Sequence, residues 1–195
     1  MKKFTLSIMF AIGMFALASV GASAQEMKSD KMTKSNNPMV GGAAMYKNKD
    51  IVDNAVNSAD HTTLVAAVKA AGLVETLKGK GPFTVFAPVN SAFEALPTGT
   101  VDTLLKPESK GMLTKVLTYH VVAGKMDSKA IAKAIKKGGG KATFTTVAGN
   151  MLTASMSGSN LVLMDEKGGT SRVTIADVRQ SNGVIHVVDT VLMPN

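Results

Sequence analysis

The order of hydrophobic and polar positions divides the chain into a helical first part and a strand-rich last third. Apolar residues recur at helical spacing over residues 49–72 and 107–117. A lysine-rich amphipathic pattern over residues 127–140 predicts a further helix closed by glycines. Beyond residue 144, short β-branched runs alternate with glycine-containing turns. Helices first and antiparallel strands later predict an α+β domain rather than a doubly wound parallel sheet.

The strand predictions rest on β-branched and aromatic runs bounded by turn residues. We expect Pro88 to end the first of them, and Ser91 with Glu94 to form a capping box that opens a short helix. The predicted strands cover residues 83–86, 144–146, 151–156, 161–164, 172–177 and 184–192, and a further strand is expected in TYHVVAG, ending at Gly124.

The first 46 residues have the pattern of an export signal and a leader. A basic start, a short apolar run and small residues at Ala22 and Ala24 predict a signal peptide over residues 1–24, cleaved before Gln25. The apolar run is short for a membrane-spanning helix. We therefore expect a secreted chain, periplasmic or associated with the cell surface. Residues 25–46 are polar and predict a flexible leader, and residues 47–195 predict a single domain.

Charge and cysteine content limit the chemistry of this domain. The chain has a formal net charge of +8, and removal of Lys2 and Lys3 would leave +6. Such a charge favours anionic surfaces and also aids solubility. The chain has no cysteine, which excludes disulfides and thiolate chemistry, so packing alone must hold the fold.

One segment concentrates the positive charge. Between residues 125 and 141, six lysines accompany a single acid, Asp127, which gives a local charge of +5. The predicted helix places this basic contact stripe opposite Ile131 and Ile135. A solvated helix face is the usual reading, and contact with acidic polysaccharide or lipid headgroups is the alternative. Without arginine or aromatic residues the stripe is unsuited to specific nucleic-acid recognition. The lysines are Lys125, Lys129, Lys133, Lys136, Lys137 and Lys141.

Three histidines are the candidates for catalysis. We expect His61 at the surface or at a helix start. Strand alternation points His186 and Asp189 to opposite faces, so they cannot readily form a dyad. We expect a half-buried, hydrogen-bonded His186 and an Asp189 that binds a loop amide. A hydrolase-like enzyme using His120 or His186 remains an alternative, but the sequence has no nucleophile, zinc or phosphate-loop motif. We expect no catalytic residue, metal or cofactor.

Methionines in the predicted leader raise a second alternative, a periplasmic protein that binds copper or a small ligand. Thioethers are suitable ligands for Cu(I). The spacing of Met27, Met32, Met39 and Met45 is irregular, however, and no histidine or cysteine lies among them. A plain tether is therefore the favoured interpretation of this segment.

Three segments together resemble the fasciclin (FAS1) domain family, in its order and spacing. They are TVFAPVNSAF at residues 84–93, LTYHVVAG at 117–124 and NGVIHVVDTVLMP at 182–194. The resemblance covers roughly residues 47–193. The sequence departs from it at Val89, where many members have threonine, which implies loss of a local hydrogen bond.

The resemblance implies a two-sheet β wedge with helices packed on it, and a non-catalytic role in adhesion to a cell-surface or matrix protein or polysaccharide. Tyr119 and His120 match a motif that contacts integrins in animal members, so they form a candidate adhesion surface. The alternative reading of this pair is a structural tyrosine and a hydrogen-bonded histidine. The oligomeric state stays open. The motif residues expected to define the fold are Thr84, Phe86, Pro88, Asn90, Phe93, Asn182, Gly183, His186, Asp189 and Pro194.

Overall fold

A computed structural model describes residues 37–195 of the chain. The α-helices are α1 (Ile51–Ala55), α2 (Thr62–Ala71), α3 (Val74–Lys78), α4 (Asn90–Glu94), α5 (Thr100–Leu104), α6 (Lys110–Tyr119) and α7 (Ser128–Lys137), with 3-10 turns at Ala59–His61 and Pro107–Ser109. The strands are β1 (Met39–Val40), β2 (Ala43–Ala44), β3 (Phe83–Pro88), β4 (Val121–Ala123), β5 (Lys141–Thr145), β6 (Met151–Ser157), β7 (Asn160–Met164), β8 (Thr170–Arg179) and β9 (Gly183–Val188). None of the helices in this part of the chain is long and apolar enough to cross a membrane.

Seven strands form one continuous sheet in the order β4-β3-β9-β8-β7-β6-β5. β3 and β9 run parallel, and the other neighbouring strands of this sheet run antiparallel. The long β8 has register shifts between Val173 and Ile175 and again between Ile175 and Val178. Such bulges bend a strand and increase its twist. The two β layers implied by the family resemblance are therefore halves of one bent sheet.

Curling of the sheet brings its two outer strands together. Val122 of β4 forms an antiparallel bridge with Thr146, directly after β5. One apolar core lies between α1–α6 and the sheet, and a second lies between α7 and the strands β5–β7. Six of the seven described α-helices precede β4, which confirms the predicted α+β order.

The two central strands separate these cores, so both of their faces are buried. Every residue of β9 is buried, and in β3 every residue except Phe83 is buried. Ile185 and Val187 belong to the helix-side core, whereas Val188 belongs to the other core. This confirms the predicted alternation along β9. Double-sided burial explains why the strand is rich in β-branched residues at consecutive positions.

The structure corrects the predicted boundary of the leader. Residues 25–36 of the predicted leader, and the predicted signal segment, lie outside the described residues. In the rest of the predicted leader, β1 and β2 form a hairpin with a tight turn at Gly41 and Gly42. Val40 and Met45 are only 4% and 2% exposed. The polar composition indicated mobility, but these two apolar side chains anchor the hairpin in the helix-side core. The prediction of a flexible segment up to Tyr46 is therefore wrong in its last part.

Two local predictions also change. The helical pattern over residues 49–72 is divided by a turn into α1 and α2, with a separate α3 after Gly72. The capping box at Ser91 does not form, because α4 begins one residue earlier with Val89 as its N-cap residue. Val89 provides no side-chain cap, as expected from its departure from the family pattern. Pro88 ends β3, as predicted.

Candidate functional site

The basic stripe lies on one face of α7. Ile131 and Ile135 are 0% and 3% exposed and anchor the helix on the second core. Lys129 and Lys133, followed by Lys136 and Lys137, occupy positions i, i+4, i+7 and i+8, which share the opposite helix face. These four lysines, together with Lys125 and Lys141 at the two ends of the segment, are all exposed.

Two aspartates that accept hydrogen bonds fix the beginning of α7. The Asp127 carboxylate is the N-cap and accepts from the Ala130 N–H at 2.9 Å. Asp177 of β8 accepts from the Ser128 N–H at 2.6 Å and from its hydroxyl at 2.5 Å. Burial would raise the pKa of Asp177, but the hydrogen bonds from Ser128 outweigh it and hold the pKa below its ordinary value. The helix that presents the lysines is therefore held at a defined place on the sheet.

The positive charge of this face is not neutralised locally. Asp127 pairs instead with Arg179, at 3.3 Å between carboxylate oxygen and guanidinium nitrogen. Within residues 37–195, Lys78 is the only lysine in an ion pair. It lies at the end of α3 and pairs with Asp50 and Asp53. The six lysines of the basic contact stripe are thus free to attract an external polyanion.

His186 is a structural residue of the central strand. Its Nε2 lies 2.9 Å from the Met126 carbonyl, and its Nδ1 accepts from the Asp177 N–H at 3.3 Å. Its ring stacks on Phe86, with ring centroids 5.6 Å apart. The side chain is 0% exposed rather than half-buried as predicted, because both faces of β9 are covered. Burial lowers the pKa of His186 below its ordinary value, so the imidazole is neutral at pH 7.

Asp189 acts apart from His186, as the strand alternation predicted. One of its carboxylate oxygens accepts from the Arg172 N–H at 2.8 Å and from the Thr190 hydroxyl at 3.1 Å. The bond from Arg172 joins the end of β9 to β8. Asp189 therefore binds a backbone amide, and the two residues form no dyad.

Tyr119 and His120 do not form the surface expected of them. Tyr119 is 0% exposed and His120 is 3% exposed. The Tyr119 hydroxyl donates to the Met151 carbonyl at 2.7 Å, and burial raises the pKa of this phenol to about 12. The two residues lie where α6 ends and β4 begins, and both side chains are packed inside the domain. An adhesion surface made by these side chains is excluded in this structure.

Both nitrogens of His120 are engaged with the backbone. Nδ1 lies 2.8 Å from the Val116 carbonyl, and Nε2 accepts from the Leu192 N–H at 3.0 Å. Burial lowers the pKa of His120 below its ordinary value. Since His186 is engaged in the same way, neither histidine offers a free nitrogen to a substrate.

His61 is buried rather than exposed at a helix start. It is 3% exposed, and its Nδ1 pairs with the Ser58 hydroxyl at 2.8 Å. The cap of α2 comes instead from Asn90, whose carboxamide oxygen accepts from the Thr63 N–H at 3.0 Å. Asn90 also donates to the Ala59 carbonyl at 2.8 Å. Thr84, another residue of the TVFAPVN segment, also bonds to the backbone. Its hydroxyl donates to the Gly124 carbonyl and accepts from the Met126 N–H.

Asn182 and Gly183 join the helices to the central strand. The Asn182 side chain donates to the carbonyls of Leu77 and Gly79 at 2.8 and 3.0 Å. A side chain at Gly183 would collide with the carbonyl of Phe83 on the neighbouring strand. Among the remaining motif residues, Pro88, Phe93 and Pro194 are buried. The motif residues thus hold the fold together rather than form a ligand site.

The copper alternative stays a prediction for Met27 and Met32, which lie outside the described residues. Met45 is buried in the core, whereas Met39 is 59% exposed. In the described part of the chain, no three histidine or acidic side chains come together as a metal site would require.

Sequence reasoning missed several polar residues that fix the fold. Asp177 adopts a left-handed backbone conformation with φ of 61°. Asn54 and Gln180 form a buried side-chain pair across 126 residues of sequence. Aspartate tolerates the left-handed region better than most residues, but its position in a β-branched run gave no sign of a bulge. Only the topology brings Asn54 and Gln180 together.

The bent sheet, its helical cover and its buried histidines define a FAS1 fold. The fasciclin domain model matches residues 59–194. The Synechocystis protein sll1483 is 43% identical over 98% of this chain and 94% of that protein. The immunogenic protein MPB70 of Mycobacterium bovis is 36% identical over 72% of this chain and 66% of that protein. The chain therefore belongs to the fasciclin domain family, whose members are generally non-catalytic adhesion modules.

Two further similarities agree with this assignment. Transforming growth factor-beta-induced protein ig-h3 of Sus scrofa is 37% identical over 67% of this chain, which spans 17% of that protein. The FAS1 domain pair of the insect cell adhesion molecule fasciclin I superposes with a TM-score of 0.53 at 21% identity. That alignment covers 67% of this chain and 43% of the insect chain, and it shows the shared fold.

Proposed function

We propose that this chain is an exported, non-catalytic adhesion module that binds anionic polymers of a cell surface or matrix through the basic contact stripe. The proposed partner is an acidic polysaccharide or an acidic surface protein. Recognition in such a contact depends on charge density rather than on a deep pocket.

The lysine face of α7 is the observation that carries this proposal. The four lysines of this face, and Lys125 and Lys141 at the two ends of the segment, form no ion pair within residues 37–195, where the ion pairs are those of Lys78 and Arg179. The helix is anchored by Ile131, Ile135 and the two aspartates at its beginning. A rigidly held cationic face loses little conformational entropy in its backbone when it binds a polyanion.

The relatives support adhesion as the general role. The matched insect structure is named a cell adhesion molecule, and the Mycobacterium bovis relative MPB83 is named a cell surface glycolipoprotein. A non-catalytic role for this chain is supported by His120 and His186, whose nitrogens are all engaged with backbone groups.

The test compares two variants of equal net charge. In the first, Lys129, Lys133 and Lys137 are changed to Gln, which removes the centre of the basic contact stripe. In the second, Lys47, Lys80 and Lys106 are changed to Gln, which removes three exposed lysines elsewhere. Binding of residues 25–195 to immobilised dextran sulfate and to envelope polysaccharide of the producing cells is measured for each.

We expect saturable binding of the unaltered chain and of the Lys47/Lys80/Lys106 variant. The α7 variant should bind at least about tenfold more weakly, since each lysine at a polyanion contact contributes on the order of 0.5–1 kcal/mol. Equal weakening in both variants would show that only total charge matters. That result, or absence of binding by the unaltered chain, would contradict the proposal.

A further inference from the structure

An apolar cavity of about 70 Å³ lies between the helices and the sheet, away from the basic contact stripe. Residues from α1, α2, α3 and α6 form its wall together with β3, β4 and β9. Its apolar lining includes Leu64, Val65 and Val68 of α2 and Phe83 of β3. The exposed side chain of Val147 also borders it, so the cavity reaches the surface.

The rim of this cavity is positively charged. Of the described residues that line the cavity, Lys69 alone carries a charge at pH 7. Lys69 is exposed in the last turn of α2. A second ammonium group, that of Lys110, lies beside Gly72 at the end of the same helix. An apolar interior with a lysine among its lining residues is complementary to a molecule with an alkyl tail and an anionic head.

We infer that the cavity binds the alkyl end of a free short-chain or medium-chain aliphatic carboxylate, with the carboxylate at Lys69. An apolar cavity of roughly 150 Å³ stays dry and binds benzene. This cavity has about half that volume, which suits the end of an alkyl chain rather than a ring. The polar groups on its wall do not favour water, because both nitrogens of His120 are already bound to backbone atoms. This binding site goes beyond the proposed contact with polyanions and uses different residues.

Chain length provides the first test. Binding of butanoate, hexanoate, octanoate and decanoate to residues 25–195 is measured by calorimetry or by NMR shifts. Each CH₂ group that enters the cavity should strengthen binding about fourfold, because its transfer from water to an apolar site contributes about 0.8 kcal/mol. The gain should stop once the cavity is filled. Absence of saturable binding for all four acids would overturn the inference.

Two matched variants locate the site. Val65→Phe places a bulky aromatic ring at the half-buried edge of the cavity. Val56→Phe makes the same substitution at an exposed position that does not line the cavity. We expect Val65→Phe to weaken octanoate binding more than tenfold and Val56→Phe to leave it unchanged. Thermal melting shows whether Val65→Phe is folded. If it is not, Val147→Phe at the open edge serves as the blocking variant.

The role of the rim is tested with a charged and an uncharged ligand of equal length. Lys69→Gln should weaken octanoate binding about twofold to fivefold, as expected for a partly exposed ion pair. It should not change the binding of 1-octanol. An equal loss for both ligands would overturn the assignment of the carboxylate to Lys69. Binding of the unaltered chain, but not of Val65→Phe, to phosphatidylcholine vesicles would identify a membrane lipid as the ligand. That result would overturn the proposal of a free carboxylic acid.

Discussion

The side-chain oxygen of Asn182 accepts a hydrogen bond from the Ile51 N–H at 3.1 Å, across 131 residues of sequence. The same carboxamide donates to the carbonyls of Leu77 and Gly79. One residue in the turn before β9 thus ties the beginning of α1 to the end of α3. Asn182 is 7% exposed, so water cannot readily replace these bonds.

We predict that Asn182→Ala destabilises the domain by on the order of 3 kcal/mol. The substitution leaves one buried N–H and two carbonyls without their partner, and each such loss is costly. Urea unfolding at pH 7.5 measures the change in the free energy of unfolding. The matched control is Asn57→Ala, at an exposed position that bonds only within its own helix region, where we expect a change within about 0.5 kcal/mol. Similar effects of the two variants would refute the role assigned to Asn182.

The family resemblance identified Asn182 as a fold-defining residue, but the sequence alone could not supply its partners. Hydrophobic periodicity predicts helices and strands, because each reflects which face of a local element is buried. It does not report which distant segment lies beside Asn182. For the same reason the sequence could not decide between a surface and a structural role for Tyr119 and His120, since their burial depends on where the end of α6 meets the sheet.

Long-range contacts also explain why the last part of the leader was misjudged. Val40 and Met45 lie in a segment without helical or strand periodicity, and they gain burial only from a core assembled elsewhere. The basic contact stripe, by contrast, was predictable because helical spacing alone places its lysines on one face. Local patterns were therefore predictable, and tertiary partners were not.

We predict that His186→Ala lowers the free energy of unfolding by about 1–3 kcal/mol without affecting polyanion binding. The substitution removes the stacking on Phe86 and leaves the Met126 carbonyl without its donor. Thermal melting and the dextran sulfate assay measure the two effects. An unchanged melting midpoint with lost binding would contradict the structural role of His186.

Tyr119→Phe should destabilise the domain by about 1 kcal/mol, because it removes the hydrogen bond to the Met151 carbonyl but keeps the ring. Since the side chain is buried, we expect no change in binding to dextran sulfate or to envelope fractions. Chemical denaturation and the same binding assay test both statements. A selective loss of binding in this variant would restore the Tyr-His segment as a contact surface.

Acid should weaken the fold in the range where histidines titrate. Burial lowers the pKa of His61, His120 and His186 in the folded state below the ordinary value of 6.5. The unfolded chain therefore takes up protons first as the pH falls. The stability from neutral histidines is complete above about pH 6.5 and declines below it, by up to about 1.4 kcal/mol per pH unit for each histidine.

Urea unfolding at pH 7.5, 6.5, 5.5 and 5.0 measures how the free energy of unfolding depends on pH. These values lie above the pH range in which carboxylates ordinarily titrate. His120→Gln should have a smaller decline with pH than the unaltered chain, because it removes one of the three groups. Stability that is constant or that rises between pH 7.5 and 5.0 would be inconsistent with neutral, buried histidines.

The salt dependence of polyanion binding tests the central claim most directly. The logarithm of the binding constant for dextran sulfate is measured against the logarithm of the NaCl concentration, for the unaltered chain and both triple-lysine variants. Polyanion binding releases counterions in proportion to the charges that are neutralised. We predict a steep negative slope that becomes shallower by about two to three in the Lys129/Lys133/Lys137 variant only. A slope near zero, or one that both variants change equally, would contradict binding through α7.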